Sequence, residues 1–133
     1  MSAFSNYLED AIIAWCFTGT TFPAALTTVY VSLHTADPAE TGANEVTGGN
    51  YARIAVANAA WTKPGNGIAV NNADITFPST GTVTWSGTVT HVGIWSASTT
   101  GNFLYGGALS ASKVVASGDV FKFTANNLTI TIT

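Results

Sequence analysis

Residues 28–34, TVYVSLH, indicate the fold class, because apolar and polar side chains alternate along them with a period of two. Val29, Val31 and Leu33 therefore fall on one side of an extended chain, as in a strand that packs one face against a core. The closing stretch 128–133, LTITIT, shows the same alternation. Further short strands are predicted over 51–57, 68–70, 73–77, 83–85, 89–95, 103–109, 113–115 and 120–124. The chain is therefore predicted to consist mainly of short strands.

Turn signals separate the predicted strands at intervals of about 8–12 residues, a spacing typical of a sandwich or barrel. Asp37-Pro38 begins one connection, and a Pro-Gly turn is predicted over 63–66. Helices do not alternate with the strands, so a parallel sheet is not expected. We predict an all-β, antiparallel β-sandwich with one short N-terminal α-helix. The pattern leaves a jelly-roll and a Greek-key-like arrangement both open.

The N-terminal helix is predicted over residues 5–17, where the apolar period is 3.6 instead of two. Asn6 is placed to cap its first turn, and Gly19 is placed to end it. The helix is apolar over more than the single stripe that a small sandwich would cover. We therefore predict that it contacts another subunit through a set of apolar residues. These interface residues are Leu8, Ile12, Trp15 and Phe17.

Two parts of different character are predicted along the chain. Residues 1–22 would form an N-terminal helix or arm, and residues 23–133 would form the β-sandwich domain. The chain has 133 residues, which is near the usual size for one hydrophobic core. No repeat or linker predicts a further domain.

The composition narrows the range of partners. Only 8% of the residues are charged, and the net charge is −3. Because the four Lys and Arg residues are scattered, the clustered positive charge that nucleic acid or an anionic membrane would need is missing. No apolar stretch reaches the roughly 18 residues of a membrane span. We predict neither a nucleic-acid nor a membrane partner. Weak charge suits self-association, so a homo-oligomer, a trimer or dimer, is expected.

No catalytic, cofactor or metal site is predicted. His34 and His91 are the only two histidines, and no further ligand stands at metal-binding spacing from either. Cys16 is the only cysteine, which favours a small buried side chain over a reactive thiol. No nucleophile motif or phosphate-binding loop is present, so the chain is not predicted to be an enzyme. The four Trp residues leave sugar stacking as an option if one is exposed.

Three motifs follow one another in the chain: LHTADP at 33–38, E-V-x-G-G-x-Y-A-R at 45–53, and VTHxGIW at 89–95. In this order they resemble a family of small bacteriophage virion proteins. The resemblance covers essentially the whole chain, including the predicted helix. Such proteins are commonly labelled tail-fibre or structural proteins, and some act as capsid cement. No catalytic residue is implied by the resemblance.

The resemblance implies a structural protein of the virion, made in the host cytoplasm. Fibre proteins are usually long, with repeats or coiled coils, whereas this chain is short and has neither. We therefore predict a capsid cement or decoration protein that contacts the major capsid protein or other virion proteins. The alternative is a tail or tail-fibre-associated protein, with binding of host-surface glycans as a further option.

Overall fold

Antiparallel strands are the main secondary structure of the computed structural model, which describes residues 3–132. The helix, α1, spans Asn6–Phe17. In chain order, the strands are β1 (Ala3–Phe4), β2 (Thr28–His34), β3 (Ile54–Ala57), β4 (Trp61–Gly65), β5 (Ile68–Asn71), β6 (Ile75–Phe77), β7 (Gly87–Trp95), β8 (Phe103–Val115), β9 (Phe121–Phe123) and β10 (Thr129–Thr131). A short 3-10 turn, Asn58–Ala60, connects β3 to β4.

The strands of residues 3–132 form three sheets. A five-stranded sheet has the order β1-β8-β7-β2-β3, a three-stranded sheet has the order β10-β5-β4, and β6 pairs with β9. Every pairing is antiparallel. Two of the four neighbouring pairs in the large sheet, β1 with β8 and β2 with β7, join strands that are far apart in sequence.

One hydrophobic core joins the three sheets. Val31 and Leu33 of β2 are completely buried in it, beside Phe77 of β6. The Tyr105 hydroxyl on β8 donates a hydrogen bond of 3.2 Å to the Thr131 carbonyl oxygen on β10. The two small sheets therefore cover one face of the large sheet. This confirms the predicted all-β, antiparallel sandwich with one N-terminal helix.

The other face of the large sheet is covered by the loop between β2 and β3, residues 35–53. Pro38 of this loop lies over Gly106 of β8, where a Cβ atom would be only 2.6 Å from the proline Cγ. Gly42 lies against the Trp95 ring and has a φ of +77°, a conformation that favours glycine. The loop packs so closely on the sheet that side chains are excluded at these points.

The turn predicted over 63–66 is wrong. Lys63 and Pro64 lie within β4, and the turn falls at Asn66-Gly67. Proline has no N–H to donate to a ladder, but β4 is an edge strand and its register with β5 shifts at this position. The Pro-Gly pair was therefore a misleading turn signal.

The strand predicted over 83–85 is also wrong. Val83 and Trp85 are buried, which explains their alternating pattern. The backbone of Val83 forms hydrogen bonds with Gly118 and Asp119, but these bonds do not continue into a strand ladder. Two other predicted strands, 103–109 and 113–115, are joined in β8. The closing strand is shorter than predicted, and Thr133 lies outside the described residues.

The helix begins one residue later than predicted and has a different cap. Ser5, not Asn6, is the N-cap, and its hydroxyl accepts a hydrogen bond of 3.3 Å from the Leu8 N–H. The Ser5 N–H donates to the Leu104 carbonyl oxygen at 3.1 Å, which anchors the start of α1 to β8. Gly19 follows the last turn with a φ of +72°, as expected for a residue that ends a helix.

Candidate interaction surfaces

The four predicted interface residues of α1 separate into two pairs. Leu8 and Ile12 are half-buried, and Leu8 packs against the hydrophobic core. Trp15 and Phe17 point outward and remain 58% and 78% exposed. The first pair therefore helps to hold the helix on its own domain, whereas the second pair is free to contact another molecule.

Two further apolar side chains extend the exposed pair. Ile13 is 55% exposed on α1, and Phe22 is 41% exposed in the segment that follows. The rings of Trp15 and Phe22 meet edge to face, with 5.9 Å between their centroids. We call Ile13, Trp15, Phe17 and Phe22 the arm surface. Phe22 was not predicted as part of it, because the fold-back of residues 18–27 carries no periodic signal.

Residues 18–27 connect α1 to β2, and all of them are exposed. Thr20 is tied to the helix by its N–H, which donates to the Ala14 carbonyl oxygen at 3.2 Å. At the other end, the Asn58 side chain donates to the Leu26 carbonyl oxygen. The connection therefore lies on the surface and presents Phe22 to solvent beside the helix.

Some side chains from each of the three motifs form a network between the outer face of the large sheet and the loop 35–53. Arg53 and Glu45 form a bidentate ion pair, with Nε to Oε1 at 2.9 Å and Nη2 to Oε2 at 2.8 Å. The Tyr51 hydroxyl donates to Glu45 Oε1 at 3.0 Å and accepts from the Leu33 N–H at 2.9 Å. Burial raises the pKa of Tyr51 well above its usual value. This network fastens the loop 35–53 to β2.

Arg53 also connects this loop to the end of β7. Its Nη1 donates to the carbonyl oxygens of Ala97 and Thr100 at 3.0 and 2.9 Å, and its guanidinium lies 3.6 Å above the Trp95 ring. The Trp95 Nε1–H in turn donates to the Ser32 hydroxyl at 3.0 Å. We call Ser32, His34, Glu45, Tyr51, Arg53 and Trp95 the motif network.

Ser32 Oγ and His34 Nε2 are 2.8 Å apart, a distance at which a serine nucleophile and its histidine base would lie. Both residues are, however, completely buried. His34 Nδ1 faces the Ala43 carbonyl oxygen at 2.7 Å. A carbonyl only accepts, so Nδ1 carries the proton and Nε2 accepts from Ser32. Burial is the main cause that lowers the pKa of His34, which keeps the ring neutral. The pair therefore works as a structural link without access for a substrate.

His91 lies across from His34 in the β2–β7 register, and its Nδ1 is 2.8 Å from the Thr90 hydroxyl. Among residues 3–132, no three His, Cys, Asp or Glu side chains come close enough to hold a metal ion. No helix in the same range is long and apolar enough to cross a membrane. Cys16 is exposed, contrary to the expected burial.

A family model described as podophage GP4 fiber I protein gp80 matches residues 3–131, which include α1, the loop 35–53 and all ten described strands. The chain belongs to this family. No curated protein matches its sequence significantly. The protein is therefore a structural protein of a phage particle, as the resemblance implied, and it contacts other virion proteins. The family is a fibre family, so the comparison supports the tail-fibre alternative better than the predicted capsid cement protein.

A groove lies at the open edge of the sandwich in this fibre-family protein, between β8 and the strands β9 and β10. It has a volume of about 740 Å³, within the range of roughly 300–1,000 Å³ that is usual for binding sites. Apolar side chains such as Val120 and Phe121 line it together with polar ones such as Asn127 and Thr129. Lys113 and Lys122 also line it. The groove thus combines apolar and polar walls with positive charge.

Proposed function

We propose that the protein is a subunit of the phage tail fibre, in which the arm, residues 1–22, attaches the β-sandwich, residues 23–133, to a neighbouring virion protein. The family match supports the fibre assignment. The arm surface supports the attachment, because its four large apolar side chains are between 41% and 78% exposed. An exposed apolar group of this kind usually marks a site of protein contact.

The energetic scale of the contact follows from these side chains. Complete burial of one large apolar side chain contributes roughly 1.5–3 kcal/mol. Trp15 and Phe17 are each more than half exposed, so a partner could gain much of this contribution from both. Since Leu8 anchors the helix on its own core, the outward pair needs no movement of α1 to meet a partner. The arm surface is therefore ready for contact as it stands.

Point substitutions in the arm surface test the attachment better than removal of the arm. Deletion of residues 1–22 would also remove β1, which pairs with Tyr105 and Gly106 on β8, and the Leu8 contact with the core. A deleted chain could lose function simply by losing stability. Trp15 and Phe17 are exposed, so their substitution leaves the core intact.

We predict that the double substitution Trp15→Ser and Phe17→Ser lowers incorporation into phage particles at least tenfold, because it removes the two most exposed aromatic side chains of the arm surface. Incorporation is measured by quantitative immunoblot of purified particles produced with the variant as the only copy. Circular dichroism of the purified variant should match the unsubstituted protein.

Val114→Ser is the matched control, because Val114 is 73% exposed and adjoins Lys113 on β8, so it faces away from the groove. Incorporation of this variant should equal that of the unsubstituted chain. Normal incorporation of the Trp15 and Phe17 variant would exclude the arm surface as the attachment site.

Glycan binding receives less support from the structure. Of the four Trp residues, Trp85 and Trp95 are buried, and Trp61 is half-buried against the core. Stacking on a sugar needs an open aromatic face. Trp15 offers one, but it belongs to an apolar group in which Phe22 contacts its ring. We therefore assign this aromatic group to a protein partner.

A further inference from the structure

One face of α1 combines two apolar side chains with a carboxylate. Asp10, Ile13 and Phe17 follow one another at spacings of three and four residues, so they lie on the same side of the helix. Ile13 and Phe17 are both more than half exposed. No basic residue stands in the last turn of α1. This face is therefore apolar toward its C-terminal end and negative toward its N-terminal end.

The groove beside β8 has the complementary character. Its wall includes Phe121 and Phe123, and Lys113 lies along its β8 side. Among the described residues, the ion pairs are Arg53 with Glu45 and Lys122 with Asp74, so Lys113 has no acidic partner there. A groove that has apolar side chains and an uncompensated ammonium group suits a ligand that has both apolar groups and a carboxylate.

The helix cannot fill the groove of its own chain as it lies. Ser5 bonds to Leu104, and Leu8 packs on the core, which together hold α1 in place. In this position Ile13 and Phe17 remain 55% and 78% exposed. Every copy therefore presents a helix face that matches the groove, but this face can fill only the groove of a different copy.

We propose that α1 of one copy docks in the β8–β9 groove of a second copy, with Ile13 and Phe17 in the groove and Asp10 facing Lys113. This inference rests on the proposed function and names the partner of the arm. The two surfaces are different, so the contact is heterologous and joins copies head to tail into a ring or a filament. A short chain can build a long fibre in this way.

The size of the contact sets its strength. The exposed parts of Ile13 and Phe17, the two side chains placed in the groove, amount to roughly 250 Å² in one copy, given that an aromatic side chain buries about 150–250 Å². With an equal area from the groove, the contact reaches about 500 Å², below the roughly 1,000 Å² of a stable specific interface. A single contact is therefore weak, and assemblies gain strength from repetition.

Charge reversal tests the contact with the purified full-length chain. The unsubstituted protein should self-associate with concentration in sedimentation velocity at low salt, and less so at high salt. Asp10→Lys and Lys113→Glu should each weaken association at least tenfold, because each places like charges opposite one another. The chain with both substitutions should recover most of the loss, since the pair is restored with its signs exchanged. We substitute Asp10 instead of Glu9, because Glu9 lies in the first turn of α1, where its negative charge stabilises the helix.

Each outcome bears on the inference. A protein that stays monomeric at all concentrations would overturn it, as would a doubly substituted chain no better than the two single variants. Circular dichroism of all three variants must match the parent, because the substituted side chains are exposed. The Trp15 and Phe17 variant could be lost from particles while the unsubstituted protein stays monomeric. The proposed function would then stand, and the arm would bind a different virion protein instead of a second copy.

Discussion

Replacing Arg53 with alanine should lower the free energy of unfolding by about 3 kcal/mol or more, because truncation of one partner leaves a poorly solvated charge behind. Glu45 would lose both halves of its bidentate pair, and its side chain is only 19% exposed. The carbonyl oxygens of Ala97 and Thr100 would also lose their donor, and the Trp95 ring would lose the cation above it. A typical domain has about 5–15 kcal/mol of stability, so the loss is a large share.

The midpoint of urea denaturation, followed by tryptophan fluorescence, measures this effect. Lys122→Ala is the matched control, because it breaks an ion pair of 3.3 Å with Asp74 in which both side chains are about half exposed. The hydrogen bond from the Ala125 N–H is the main cause that lowers the pKa of the Asp74 carboxyl, and the hydrogen bond from Lys122 is the second. Solvent nevertheless screens an ion pair as exposed as that of Lys122 and Asp74. The control should leave the midpoint almost unchanged. Equal midpoints for the Arg53 and Lys122 variants would contradict a structural role for the motif network.

Gly93→Ala should destabilise the protein by about 1–3 kcal/mol or more, because an added methyl group has no space at the centre of the motif network. A Cβ atom there would lie 2.5 Å from the Ser32 hydroxyl oxygen, 2.6 Å from His34 Nε2 and 2.8 Å from Phe103 Cε2. Ser32 and His34 are completely buried and bonded to each other, so neither can move without losing a hydrogen bond. We expect low soluble yield or a markedly lower melting temperature.

Gly87→Ala provides the comparison on the same strand, since a Cβ atom at Gly87 would meet Thr35 Cγ2 at an ordinary 3.8 Å. Neither glycine has a positive φ, so the two variants differ in packing rather than in backbone strain. The Gly87 variant should melt within a few degrees of the parent protein. A Gly93 variant that melts at the same temperature would show that the sheet and the loop are packed less closely than described.

The periodicity of the sequence predicted most of the fold. The alternation at 28–34 became β2, and the 3.6-residue period at 5–17 became α1, because in both segments one face packs against the core. Local signals failed where tertiary contacts decide. Pro64 lies in an edge strand instead of a turn, and Val83 is buried without a ladder.

The candidate surfaces were predicted only in part. Trp15 and Phe17 could be recognised as surplus apolar residues of one helix, but the position of Phe22 depends on how the following segment folds back. The motif network could not be derived from spacing, since Glu45, Arg53 and Trp95 come from separate segments. The sequence motifs that carried the resemblance thus turn out to fasten one loop to the large sheet.

Short length led the sequence interpretation toward the capsid, on the argument that fibre proteins need repeats or coiled coils for reach. The family match supports the fibre instead. Head-to-tail contact between an arm and a groove would resolve this conflict, because the length of such an assembly is set by the number of copies and not by the length of one chain.

The position of the protein on intact particles tests the central claim most directly. Electron microscopy of particles labelled with an antibody against the β-sandwich shows where the copies lie. Our account predicts label on the fibres at the tail and none over the shell. Label spread over the capsid shell would contradict the fibre assignment and support the cement protein that the sequence alone had suggested.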